Sequence, residues 1–185
     1  MPASNPNHPV EARFAEILAH AHRRQEALAA APAATVHIGM ATCGIAAGAL
    51  ETRAAFEQAV AERGLDTRIH SVGCSGHCYA EPYVIIDHPE SGFPPIVYPE
   101  VNPGKANMLV KLFLEGGDPR LEHILGATVE NELIPSVLEY PRFQHETRVI
   151  MELCGRIDPE YIYQYIAEGG YGSLAEALLH PPEEI

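Results

Sequence analysis

Two stretches limit what this chain can fold into more than any others: Thr42-Cys43-Gly44-Ile45-Ala46-Ala47-Gly48-Ala49 and Gly73-Cys74-Ser75-Gly76-His77-Cys78-Tyr79. Each follows a short apolar run that reads as a strand, and together they hold three of the four cysteines. A strand that delivers a thiol into a glycine-bearing loop exposes that thiol to open backbone N–H groups, which stabilise thiolate and donate hydrogen bonds to bound sulfur. The spacing therefore predicts one site assembled from two distant loops, a site that exists only once the chain is folded.

The rest of the sequence says which folds can carry such a site. With 185 residues and 46% hydrophobic content the chain can bury a proper core, with room for one domain and an appendage. A formal charge of −13 with only two lysines, Lys105 and Lys111, offers no basic cluster, so neither nucleic acid nor an anionic membrane is an expected partner. Apolar stretches fall short of a membrane span and the first residues lack the basic-then-apolar pattern of a secretion signal, so the expectation is a soluble, cytoplasmic protein without membrane insertion. Clustered cysteines in such a chain point to a metal or redox site before a secreted disulfide framework.

Along the chain, residues 1–33 read as a mobile, proline-rich start followed by an amphipathic helix. Val10, Phe14, Ile17, Leu18 and Ala21 recur at helical spacing and Pro32 is the expected stop. Residues 34–117 read as the main domain. Val36, Ile38 and Met40 alternate as in a half-buried strand, and Phe56, Ala59 and Val60 mark a helix closed by Gly64. Residues 68–72, 82–87 and 96–98 read as further strands, and 105–114 as a closing helix before Gly116-Gly117. The fold class is α/β, a mixed sheet of about four strands layered with helices. Residues 118–185 read as an extended, proline-punctuated linker and short capped helices, a small C-terminal helical appendage. Its linker needs a surface to wrap on. Asp158 is the expected N-cap of one helix with Pro159 at its first position, and Ser173 with Glu176 has capping-box spacing for the last.

From the residues alone three chemistries are open for Cys43, Cys74 and Cys78. Zinc would use the three thiolates with His77 as a candidate fourth ligand, although Cys-x3-Cys with an adjacent histidine is unusual for structural zinc. A thiol redox centre is the second, although this is not the Cys-x-x-Cys of thioredoxin-type exchange. Packing as small hydrophobes is the third, and is also the expectation for Cys154.

The order strand, cysteine loop, helix, strand, Cys-x3-Cys loop, hairpin and closing helix resembles the thioredoxin-like [2Fe–2S] ferredoxin module of NADH-oxidising complexes. More particularly, His37 to Ala49, Gly73 to Pro82, Arg148 to Glu160 and Tyr165 to Tyr171 look like the N-terminal region of the NADH-binding flavoprotein subunit of NADH dehydrogenases and NAD-linked hydrogenases, over about residues 34–185. The resemblance implies a thioredoxin-like sandwich and a [2Fe–2S] cluster held by Cys43, Cys74 and Cys78. It also implies a role as electron-transfer or docking module, not catalytic alone, and other subunits of an NADH-linked redox complex as partners. The family's pattern has a further cysteine shortly after the first, where this chain reads Gly44 to Gly48, so the fourth ligand is unassigned. No glycine-rich phosphate cradle is present, so no FMN or NAD site is expected in this chain. A cluster-free interaction module of the same fold and a thiol redox protein are the alternatives.

Overall fold

Val84-Ile85-Ile86 and Ile96-Val97-Tyr98 are apolar at every position, the pattern of strands that are covered on both faces. The computed structural model, which describes residues 8–30, 33–141, 143 and 145–185, places them at the centre of a five-stranded mixed sheet of order β2-β1-β3-β4-β5. The strands are β1 (Ala34–Gly39), β2 (Thr67–Val72), β3 (Val84–Asp87), β4 (Ile96–Tyr98) and β5 (Gly126–Ala127). β1 and β2 run parallel, with Val36 beside Ile69 and Gly39 beside Val72, and the other neighbours are antiparallel. A parallel pair requires a crossover. It is supplied by α2 (Thr42–Ala47) and α3 (Ala49–Arg63).

Alternation along the strands divides the core in two. Val36, Ile38, Val84, Ile86, Ile96 and Tyr98 face one side, where they meet Phe56, Ala59 and Val60 of α3 and Leu109, Val110 and Phe113. The last three belong to α4 (Pro103–Leu109) and its π-helical continuation Val110–Leu114. Asn102 caps α4 by accepting the Lys105 N–H at 2.9 Å, two residues earlier than the apolar pattern marks the helix. The opposite face, with Val72, Tyr83, Ile85 and Val97, is covered by Val137 and Leu125. The proline-punctuated linker thus wraps on the second face of the sheet. Val137 is buried there, while Ala127 and Ile134 are buried with the first cluster, and Tyr98 Oη donates to the Pro119 carbonyl at 2.5 Å at the linker's start.

The α/β class and the mixed sheet are as the sequence implies. The fifth strand is an addition that two residues of sequence cannot signal by periodicity. Residues 33–158 form one unit, while 8–30 and 159–185 form another. In the second unit α1 (Pro9–Ala29) is accompanied by α5 (Ile162–Ala167) and α6 (Gly172–Ala177). The expected mobile start over 1–7 and the stop at Pro32 lie outside the described residues. Two capping expectations fail. α5 starts after Tyr161, and α6 starts after Tyr171 in the left-handed region at φ 64° with no side-chain cap.

Asp158 is used elsewhere. Its carboxylate lies 3.5 Å from His70 Nδ1, and His70 stacks on His37, its register partner across β1 and β2, with ring centroids 5.7 Å apart. Burial, then the neighbouring His70, pushes the His37 imidazole down to about 4, and burial lowers His70 as well despite the Asp158 carboxylate. Both shifts favour the neutral rings in the folded state. The stability they contribute is therefore present above the unfolded histidine value of about 6.5 and is lost as pH falls from there towards 4. Urea unfolding at pH 7 and pH 5 should show the folded state weaker at pH 5, by up to roughly 2 kcal/mol from His37. His37→Leu should flatten the dependence. An unchanged pH profile in that variant would mean that other groups control it.

Candidate functional site

β1 and β2 end side by side at Gly39 and Val72, and the parallel pairing brings the two cysteine segments to the same edge of the sheet. The first is helical instead of a loop: Thr42–Ala47 forms α2, with Cys43 in its first turn and Gly48 closing it at φ 103°. Gly44 is required there by packing. A methyl group on it would lie 2.2 Å from the Gly39 carbonyl oxygen and 3.0 Å from Glu81 Oε2. The second segment is a loop that ends in a 3₁₀ turn over Cys78–Ala80.

Cys74 Sγ and Cys78 Sγ are 3.6 Å apart, and all four cysteines are free thiols. Two thiolates on one tetrahedral metal with bonds of about 2.3 Å lie roughly 3.8 Å apart, so this pair is spaced as metal ligands are. Cys43 joins it. The largest cause of an upward shift at Cys43 is a hydrogen bond with the Cys78 thiol, followed by the charge of Cys78, burial and the charge of Glu81. Cys74 is also raised, first by burial, while the Gly76 N–H that donates to its Sγ at 3.3 Å opposes the rise. The backbone donor seen on sulfur is thus Gly76. The Ile45 N–H is spent on the Ala41 carbonyl at 2.9 Å. Raised thiols are poor nucleophiles at neutral pH, and a metal would have to displace their protons.

His77 is placed differently from the thiols. Its side chain is 2% exposed, Nδ1 lies 3.1 Å from Ser75 Oγ, and the ring packs at 4.5 Å on Phe143. It lines a cavity of about 220 Å³ with Tyr83, Ile85, Val137 and Cys154. Cys154 packs against Gly73, at 3.5 Å from where a Cβ on that glycine would stand. Among the described residues no group of three or more His, Cys, Asp or Glu side chains is arranged to hold a single metal ion. The structure therefore brings three thiols to one edge, two of them at ligand spacing, and shows no fourth donor completing a set.

Three side chains that the sequence did not single out hold these segments. Glu81 is 8% exposed, accepts the Tyr83 N–H at 3.1 Å on Oε2 and leaves Oε1 buried without a hydrogen-bond partner. Burial raises its carboxyl above the usual range, opposed by the Tyr83 N–H. Tyr83 Oη donates to the Gly73 carbonyl at 2.9 Å, and burial pushes its phenol up to about 12, so it stays a donor. Arg148 donates to the Ser75 carbonyl at 2.8 Å. The traces of this support in the sequence are the position of Glu81 and Tyr83 just after Cys78 and the place of Arg148 at the start of a segment that carries the resemblance.

No family model matches the chain. A search of curated proteins finds the NADP-reducing hydrogenase subunit HndB of Solidesulfovibrio fructosivorans, 34% identical over 100 residues that span 54% of this chain and 77% of that one. The chain belongs to the HndB family. Solved structures similar to it include the wild-type thioredoxin-like [2Fe–2S] ferredoxin of Aquifex aeolicus, 21% identical with a TM-score of 0.43 over 51% of this chain and 98% of that one. A cysteine-to-serine variant of that ferredoxin is 19% identical, with a TM-score of 0.42 over 50% and 97% of the two chains. Among the described residues of this HndB-family chain no helix is long and apolar enough to cross a membrane.

Proposed function

We propose that this HndB-family chain is an electron-transfer module of a multisubunit, nicotinamide-linked oxidoreductase, located in the cytoplasm, and that Cys43, Cys74 and Cys78 are protein ligands of a [2Fe–2S] cluster. The observation that carries the reading is the Cys74–Cys78 separation of 3.6 Å at the sheet edge where α2 also places Cys43. It is supported by the relative, which is itself named as a hydrogenase subunit. The cluster would supply a one-electron carrier. The chain's own part is to hold three thiols at the sheet edge, fix the second loop through Tyr83, Gly76 and Arg148, and keep apolar residues beneath it. Three thiolates would leave one ligand position to a weaker donor, so a cluster held here should be more oxygen-labile than a four-cysteine one. Anaerobic incubation with iron and sulfide should give visible charge-transfer absorbance and, after reduction, a rhombic paramagnetic signal. A colourless, signal-free protein would remove the cluster from the reading.

A second reading, a dithiol–disulfide pair at Cys74 and Cys78, is favoured by the same short separation and by the absence of a fourth donor among the described residues. In that step the two thiols lose two protons and two electrons to an oxidising disulfide and form one S–S bond. Oxidised glutathione would then protect Cys74 and Cys78 from alkylation while leaving Cys154 reactive. Alkylation of both after that treatment would exclude it.

A further inference from the structure

The unit of 8–30 with 159–185 has little core. Its buried apolar side chains, among the described residues, are Ala21 and Ile166. Around them lies an open, almost wholly apolar groove of about 570 Å³ lined by Val10, Phe14 and Ile17 of α1, Ile166 of α5, and Leu174 and Leu178. Large side chains remain in water at its edge: Leu174 is 54% exposed and Leu178 60%. An exposed patch of this kind marks an interaction site.

The surrounding charge decides what can sit there. Arg13, which also lines the groove, is paired with Glu16 at 2.7 Å. A second hollow beside it, between α1 and α6, is lined by Glu11 and Glu176. Glu11 Oε2 is buried there with no hydrogen-bond partner among the described residues, and a buried carboxylate oxygen without a donor is costly. Glutamates and arginines balance in 8–30, three of each, but 159–185 adds five glutamates and no arginine, so the unit is acidic, and lysine is absent. A second copy of the same acidic surface, an anionic lipid surface and a fatty acid carboxylate are all repelled. An amphipathic helix with apolar residues at i, i+3, i+4 and i+7 and lysine or arginine along the flank fits both the groove and the carboxylates.

We propose that the groove between α1 and the α5–α6 pair docks a basic amphipathic helix of a partner protein, with Leu174 and Leu178 as apolar anchors and Glu11 and Glu176 as acceptors for its cations. The surface is independent of the thiol site, so either reading can fail without the other.

The test uses the full chain and a synthetic leucine–lysine helix of about 18 residues, five turns. One control peptide carries glutamate for every lysine and another the same composition in scrambled order. Titration should show the leucine–lysine peptide binding at least about tenfold more tightly than either control, a difference of roughly 1.4 kcal/mol. Leu174→Asp with Leu178→Asp should remove that preference, and Glu11→Gln with Glu176→Gln should weaken binding several-fold and reduce its salt dependence. Because the two leucines are exposed, circular dichroism should show the aspartate variant folded; if it is not, the glutamine pair decides the matter alone. Equal binding of the scrambled peptide would mean diffuse charge attraction and overturn the proposal. So would a wild-type dimer in sedimentation equilibrium that Leu174→Asp with Leu178→Asp converts to monomer, which would give the groove to a second copy.

Discussion

Cys74→Ser and Cys78→Ser should each abolish cluster assembly, whereas Cys154→Ser should reconstitute like the parent. The two affected residues form the pair at 3.6 Å, and serine at either position replaces a soft thiolate with a hard alcohol that keeps its proton at neutral pH. Loss of a supporting residue beyond the metal ligands already costs about 10–100-fold in metal affinity, so loss of a ligand itself should take bound iron and sulfide down by at least that much. Cys43→Ser should lower bound iron and sulfide as well, because Cys43 is the third proposed ligand, carried to the same sheet edge in the first turn of α2. Cys154 lies against Gly73 and lines the apolar cavity, so its exchange removes packing and leaves the ligands in place. The readouts are iron and sulfide content and the paramagnetic signal of the reduced protein. A signal kept in Cys74→Ser and lost in Cys154→Ser would reverse the assignment. The variants also separate a ligand defect from misfolding: Cys43 and Cys78 are exposed thiols, and their replacement should leave thermal unfolding nearly unchanged.

Much of the frame that positions these cysteines is legible in the chain. Val36 and Ile38 alternate as a half-buried strand does, Val84 to Ile86 and Ile96 to Tyr98 are short apolar runs bounded by turn residues, and α3 announces itself through Phe56, Ala59, Val60 and the Gly64 stop. The two segments that carry Cys43, Cys74 and Cys78 are legible too, because each segment follows the end of a strand. What is hidden has a common cause: the deciding contact is with a residue far away in sequence. Asp158 before Pro159 is a helix start by local rules, yet its carboxylate is taken by His70. Glu81 reads as one more acidic residue until Gly39 and Gly44 close around it. The stretch Cys43 to Gly48 reads as a loop because of its two glycines. Only Gly48 is there for backbone freedom, at φ 103°; Gly44 is there because β1 and Glu81 leave no space for a side chain.

That last distinction gives a prediction in which two principles disagree in sign. Gly44 lies inside α2, and replacing glycine by alanine within a helix is ordinarily stabilising by about 1 kcal/mol, from the unfolded chain's lost freedom. The contact opposes it. The alanine methyl would stand 2.2 Å from the Gly39 carbonyl oxygen, a backbone atom of β1. Gly39 cannot step back, because its N–H donates to the Tyr83 carbonyl at 3.1 Å and it is in register with Val72. The second neighbour, Glu81 Oε2 at 3.0 Å, is buried and accepts from the Tyr83 N–H. Overpacking against such fixed atoms costs about 1–3 kcal/mol and more where backbone must move, so the steric effect wins. Gly44→Ala should unfold about 5–10 °C below the parent, on the scale expected for a chain of this length. Ala46→Ser, an exposed exchange in the same helix, should stay within about 0.5 kcal/mol of it. Because α2 carries Cys43 in its first turn, the backbone shift that relieves Gly44→Ala also moves that thiol away from Cys78. Cluster yield should therefore fall in Gly44→Ala even at temperatures where the protein remains folded. Equal or higher stability in Gly44→Ala would mean that α2 is free to move off β1, and that Cys43 is not held to the Cys74–Cys78 pair by the fold.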